Sequence, residues 1–178
     1  VHPVAVDVIE KQLETAFDGV GIDAMKTGML PTADIIELVS KHLDKYYGKV
    51  PIVIDPVMVC KGDKPLFPEH AAAMKELLIK YATITTGNLF EAGELAGMGT
   101  LKTLDEAKKA CEKIVAAGSK ATVIKMAGSL ADSSSAGDLF FDGNEFYMVE
   151  AKRIDTNHTH GLGCTYAAHM ASQLCLGM

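Results

Sequence analysis

Val50-Pro51-Ile52-Val53-Ile54-Asp55-Pro56-Val57 is the stretch whose reading decides the fold. An apolar, β-branched run without polar alternation is the mark of a strand buried on both faces, and such strands belong to parallel sheets. The Asp-Pro step ends the run, because proline forces its predecessor out of helical geometry and favours a turn. N-terminal to it, Thr32 is placed to cap a helix with the apolar stripe Ile36, Val39, Leu43 and Tyr46. Residues 21–25 read as a short strand ending at Lys26-Thr27-Gly28, and Ile9, Leu13, Ala16 and Phe17 recur at helical spacing after Pro3.

On the C-terminal side, residues 68–81 read as a helix, 82–86 as a strand, and 89–96 as a short helix closed by Gly97. Thr103 and Glu106 form a capping-box pattern. The helix they open carries Leu104, Ala107, Cys111, Ile114 and Val115 on one face and stops at Gly118. Residues 121–126 form another buried strand. Asp142-Gly143-Asn144 is a hairpin turn between strands over 138–141 and 146–149. Residues 129–136 are small and polar and read as a loop, and 166–176 read as a helix. The alternation predicts an α/β protein with a mostly parallel sheet covered on both faces, in a single domain over 1–178.

The chain has 178 residues, 48% of them hydrophobic, and a formal net charge of −6. That is enough for a sizeable core, and the acidic balance argues against nucleic-acid partners, which need a basic face. The four cysteines, Cys60, Cys111, Cys164 and Cys175, form no C-x-x-C pair. A structural zinc site is therefore not expected, and free thiols in a reducing cytoplasm are. Cys111 and Cys175 are expected in the core. No apolar run approaches the roughly 18 residues a membrane span needs, and no membrane partner is expected. The chain opens at Val1 and stops at Gly177-Met178, which reads as a segment of a longer protein.

Lys26, Asp55, Asn88 and Lys125 all fall at or just past the C-terminal end of a strand, the edge along which open α/β sheets bind ligands. Asp155-Thr156-Asn157-His158-Thr159-His160-Gly161-Leu162-Gly163-Cys164-Thr165 leads into the last helix. Its glycines let backbone approach an anion at a helix N-terminus, and a thiol there is expected to be more acidic than a free one. Cys164 reads either as a base or nucleophile beside a phosphate or as a buried cysteine after a tight turn. Tyr166 stands where a dinucleotide fingerprint needs its last glycine. Asn88 and Glu91 either hold a hydrated Mg²⁺ or simply cap a helix. Lys125 either neutralises a phosphoryl group or snorkels to solvent. Asp55 orients a metal or forms a turn, and Lys61 meets phosphate or solvent. His158 and His160 read as structural loop residues.

Four blocks in order break these ties: residues 22–30, 53–59, 86–92 and 155–165. Together they resemble the ribokinase-like superfamily, and within it the branch of hydroxymethylpyrimidine/phosphomethylpyrimidine kinases and bacterial pyridoxal kinases. The resemblance implies a three-layer α/β/α fold and an ATP-dependent kinase of a hydroxymethyl group on a nitrogen heteroaromatic ring. It places Cys164 as the general base and Gly161 and Gly163 as the anion hole. Asn88, Lys125, Gly128, Asp138, Lys61 and Thr165 fall on the nucleotide side, Glu91 and Asp55 at Mg²⁺, and Met29 and Val57 in the substrate pocket. Val59-Cys60-Lys61-Gly62 resembles the cysteine-bearing lid of the pyridoxal kinase variety, and a Cys60/Cys164 thiol pair suits an aldehyde. Pyridoxal, pyridoxine or pyridoxamine is thus the expected small-molecule substrate, with hydroxymethylpyrimidine, or a non-catalytic nucleotide-binding relative, as the alternative, and a homodimer is implied. Gly87, Met126-Ala127 and Leu162 depart from the family pattern; Gly87 stands where proline is usual, which loosens the loop before Asn88. The family's N-terminal strand and C-terminal helices have no counterpart, so the chain reads as the middle two-thirds of such a protein.

Overall fold

The run at 52–54 lies inside a sheet with strand order β1-β2-β3-β4-β5-β6. The computed structural model describes residues 2–58, 68–126 and 135–178. Strands β1 (Met25–Lys26), β2 (Ile52–Ile54), β3 (Ile84–Asn88) and β4 (Ala121–Lys125) are mutually parallel. Strands β5 (Ser135–Phe141) and β6 (Phe146–Lys152) continue the sheet antiparallel. The parallel half follows from helical crossovers and the antiparallel half from a hairpin. In that hairpin the Asp142 carboxylate accepts the Asn144 and Glu145 N–H groups, both at 2.7 Å, and Gly143 takes φ 97°.

The helices are α1 (Val6–Glu14), α2 (Ala33–Tyr46), α3 (Pro68–Leu77), α4 (Leu89–Ala96), α5 (Leu104–Ala116) and α6 (Leu162–Cys175). Local chemistry sets their ends. The Thr32 hydroxyl accepts the Ile35 N–H at 3.3 Å, and Thr103 with Glu106 closes a capping box on α5. Gly97 ends α4 in the left-handed conformation at φ 66°. Each such cap stabilises its helix by about 1 kcal/mol.

Side-chain alternation along β2 splits the core into two layers. Ile52 and Ile54 face a large cluster with Ile36, Met74, Leu78, Ile114 and Ile124 beneath α2–α5. Val53 faces the other way, onto Ala167 and Ala171 of α6. Both faces are covered, as expected, but unequally: α2–α5 bury one face deeply, whereas α6 buries only two alanines.

Four expectations need correction. The strand predicted over 21–25 is only Met25–Lys26, paired with Ile52 and Val53 of β2. No loop precedes Asn88: Gly87 is a strand residue paired with Ile124, and its backbone lies under the first turn of α4. Residues 135 and 136 belong to β5 rather than to a loop, while 129–134 lie outside the described residues. Cys175 is exposed at the last residue of α6, beyond the contact of Ala167 and Ala171 with Val53. Cys111 is fully buried, as predicted.

Candidate active site at the strand ends

Asp55 leaves β2 into the sheet edge and is 2% exposed. A carboxylate so buried needs partners; two strand ends supply them, and a third holds the residue's backbone. The Thr86 hydroxyl at the end of β3 donates to Asp55 Oδ1 at 3.2 Å, and Lys125 Nζ at the end of β4 lies 3.5 Å from the same oxygen. Just past β1, the Thr27 hydroxyl accepts the Asp55 N–H at 3.1 Å. Asp55 Oδ2 is buried with no protein partner among the described residues.

Lys125 also touches the helix side. A Cβ built on Gly163 would stand 3.2 Å from Lys125 Nζ. The ammonium is thus packed between a buried carboxylate and the first turn of α6. Glycine at 163 is what permits that approach. Gly161 N-caps α6 in the left-handed conformation (φ 73°, ψ 0°), and Cys164 lies exposed on the first turn. Within this chain the Cys164 thiol is exposed rather than buried. His158 and His160 are exposed as well, so neither fills a packing role.

Asn88 and Glu91 perform the capping that the sequence offered as one of two readings. Asn88 Oδ1 accepts the Phe90 and Glu91 N–H groups, both at 2.9 Å. Glu91 Oε2 accepts the Asn88 N–H at 2.9 Å, and Oε1 accepts the Met58 N–H at 3.3 Å. Glu91 therefore ties the segment after Asp55 to α4. Burial raises its carboxyl above the usual carboxylate range; the N–H donors and Lys125 offset this in part. Asp138 sits opposite Lys125 in the β4–β5 register, and its Oδ1 accepts the Met126 N–H at 3.3 Å. Burial raises its carboxyl too, against a hydrogen bond from Tyr166 and the Lys125 charge.

Three carboxylates, Asp55, Glu91 and Asp138, thus surround one ammonium. Among the described residues no group of three or more His, Cys, Asp or Glu donors converges on a metal position. Mg²⁺, however, is commonly held by one or two carboxylates, with water and phosphate completing its shell. The unpartnered buried Asp55 oxygen and the net negative charge fit that cation.

Met29 lines a mostly apolar cavity of about 610 Å³ between α1, β1 and α2, together with Lys26, Thr27, Gly28, Leu30 and Phe17. Its size suits a small heterocycle. Thr27 joins this cavity to Asp55. Val57 is outside the lining; its N–H bonds the Asp55 carbonyl at 2.9 Å. Thr165 is exposed beside Cys164. Cys60, Lys61 and Gly128 lie outside the described residues, and with them the lid and the Cys60/Cys164 pair.

Sequence reasoning missed Thr27 and Thr86. Each is a single polar residue at an element end, and the only signal was its adjacency to a recognised block.

The family profile for phosphomethylpyrimidine kinase matches residues 1–178. A pyridoxine kinase of Bacillus subtilis (strain 168) is 48% identical over 178 residues, covering 99% of this chain and 65% of the relative. A hydroxymethylpyrimidine/phosphomethylpyrimidine kinase of the same organism is 40% identical over 99% of this chain and 65% of the relative. The pyridoxal kinase of Staphylococcus aureus, solved in complex with AMP-PCP and pyridoxal, superposes with a TM-score of 0.90 at 39% identity, covering 100% of this chain and 63% of that one. The chain therefore spans slightly less than two thirds of these relatives' length. It belongs to the phosphomethylpyrimidine kinase family, with the ribokinase-like α/β architecture that its resemblance implied.

Proposed function

We propose that, as a member of this family, the protein carrying this chain transfers the γ-phosphoryl group of ATP to the hydroxymethyl group of pyridoxal, pyridoxine or pyridoxamine. The observation that carries the reading is Lys125 Nζ, 3.5 Å from buried Asp55 and packed against the Gly163 turn. A cation fixed beside the N-terminus of a helix is what a transferring phosphoryl group requires.

In this reading the substrate ring occupies the cavity lined by Met29, and Val57 joins it by resemblance. The amides of the Gly161–Gly163 turn receive the γ-phosphate oxygens, and Lys125 neutralises the charge that spreads over them. The hydroxymethyl oxygen bonds to phosphorus as the β–γ bridging bond breaks. The hydroxyl proton passes to Cys164 Sγ, and ADP leaves. Asp55 and Glu91 would hold Mg²⁺, which when bound neutralises phosphate charge. Asn88 and Thr165 border the nucleotide, and Lys61 and Gly128 join it by resemblance. A homodimer and a cytoplasmic setting also rest on resemblance; no described helix is long and apolar enough to cross a membrane.

The relative named hydroxymethylpyrimidine/phosphomethylpyrimidine kinase, at 40% identity, favours a second substrate reading. A side-by-side assay of the full-length protein with Mg-ATP on pyridoxal and on hydroxymethylpyrimidine decides between them, with pyridoxal phosphate the expected product. Bound ATP with neither product overturns both. Cys164→Ala is expected to lose most turnover while retaining ATP binding; unchanged turnover removes the base assignment.

A further inference from the structure

The ladder between β1 and β2 ends in an unusual way. Its register pairs Met25 with Ile52 and Lys26 with Val53. The Met25 N–H donates to the Pro51 carbonyl at 2.9 Å, and the Thr27 N–H to the Val53 carbonyl at 3.0 Å. Continued in the same parallel pattern, the next rung would run from the Asp55 N–H to the Thr27 carbonyl. The side chain carries that rung instead: the Asp55 N–H donates to Thr27 Oγ1 at 3.1 Å. The same hydroxyl donates to the Asp55 carbonyl in a long bond of 3.5 Å. One hydroxyl thus brackets Asp55 on both its amide and its carbonyl side, and both residues are buried.

The chain leaves the sheet at this point. Pro56 has no N–H to give, and the Val57 N–H turns back onto the Asp55 carbonyl at 2.9 Å. Thr86 and Lys125 reach only the Asp55 carboxylate. On the β1 side, the Thr27 hydroxyl is therefore what fixes the backbone from which that carboxylate projects. Threonine suits the task, because a β-branched side chain is stiff at χ1. Thr27 also lines the cavity that holds Met29. It stands between the proposed ring site and the charged cluster.

We propose that Thr27 is a positioning residue: its hydroxyl sets the Asp55 backbone, and through it the place where the carboxylate meets Lys125. It acts through Asp55 and does not touch the reacting atoms. The kinetic part of the proposal rests on the kinase reading above; the structural part does not.

The test uses the full-length protein with Thr27→Val, which exchanges the hydroxyl for a methyl of similar size, and with Thr27→Ser, which keeps the hydroxyl. A misplacement of about 1 Å can cost about a hundredfold in rate, so a smaller shift of Asp55 is expected to cost about tenfold. Thr27→Val should lower kcat about tenfold, with KM for ATP and for the vitamer within about twofold. Thr27→Ser should keep kcat within about twofold of wild type. Amide hydrogen exchange without substrate gives the second measurement. In the wild-type protein the Asp55 amide should exchange within about tenfold of the Ile54 amide; free exchange there overturns the bond without any variant. In Thr27→Val exchange at Asp55 should rise about tenfold, while the amides of α5 stay unchanged.

Wild-type kcat in Thr27→Val overturns the positioning role, and so does a lowered kcat with unchanged exchange at Asp55. A raised KM for the vitamer with intact kcat would make Thr27 a substrate contact instead. A Thr27→Ser protein as slow as Thr27→Val assigns the effect to packing of the methyl and overturns the role of the hydroxyl. A rise in exchange that extends through α5 makes Thr27 a general stabiliser and overturns it too. If the wild-type protein proves not to be a kinase, exchange at Asp55 decides the structural part by itself.

Discussion

Lys125→Met gives the most direct test of how the site is built. It removes the ammonium 3.5 Å from Asp55 Oδ1 and keeps most of the side-chain bulk. At an effective dielectric of 20 the pair's gross attraction is about 5 kcal/mol. Asp55 is 2% exposed and the Lys125 side chain 18% exposed, so solvent screens the pair little. Removing one partner of such a pair leaves a buried charge uncompensated, which costs about 3–5 kcal/mol. The Thr86 hydroxyl stays on Asp55 Oδ1 and places the expected loss at the lower end, near 3 kcal/mol. For a protein of this chain's size that corresponds to a fall in Tm of roughly 6–12 °C, and for the longer full-length protein to the lower figure. Differential scanning calorimetry on the full-length protein reads this directly. Asp55→Asn in the Lys125→Met background removes the orphaned charge and should restore most of the lost stability. A Lys125→Met protein melting within about 1 °C of wild type would falsify the buried-pair argument. Assayed well below its Tm, the same variant should lose about a hundredfold in turnover if the ammonium meets the transferring phosphoryl group.

Three further variants separate packing from chemistry. Gly163→Ala puts a methyl 3.2 Å from Lys125 Nζ, the far end of a long side chain, at a residue without positive φ, so Tm should hold or rise slightly while turnover drops about tenfold; equal activity means the ammonium does not need that position. Gly93→Ala would seat its Cβ on the Gly99 carbonyl beside α4, and because backbone must move, urea unfolding should show a loss of about 2–3 kcal/mol; an unchanged midpoint refutes the close approach. Burial raises the Glu91 carboxyl, so the folded state holds its proton more tightly than the unfolded state. Its contribution to stability is full below about pH 4 and is lost as pH rises through the folded value. Glu91→Gln, which keeps an oxygen acceptor for the cap, should flatten this decline in a Tm-versus-pH series; a parallel series counts against a titrating Glu91.

The elements with local causes were legible without coordinates. The runs at 52–54 and 121–125 are apolar enough to be read as buried strands, and the Thr103/Glu106 and Asn88/Glu91 pairs announce their helices because both partners lie within one turn. Gly97 ends α4 because glycine adopts positive φ without strain. The extent of β1 was not legible. A strand's length depends on what it pairs with, and β2 offers β1 only two partners.

The site divides along the same line. Sequence by itself determined which residues sit at strand ends and that a glycine turn with a thiol opens the last helix, since both depend on neighbours a few residues away. It left Asp55, Lys125 and Asn88 each with two readings. Only the tertiary structure brought Lys125 and Thr86 to the Asp55 carboxylate across 70 and 31 positions, and Thr27 to the Asp55 backbone across 28. Hydrogen bonds and ion pairs at such separations are created by strand order and register, which are properties of the assembled sheet, so no window of sequence contains them.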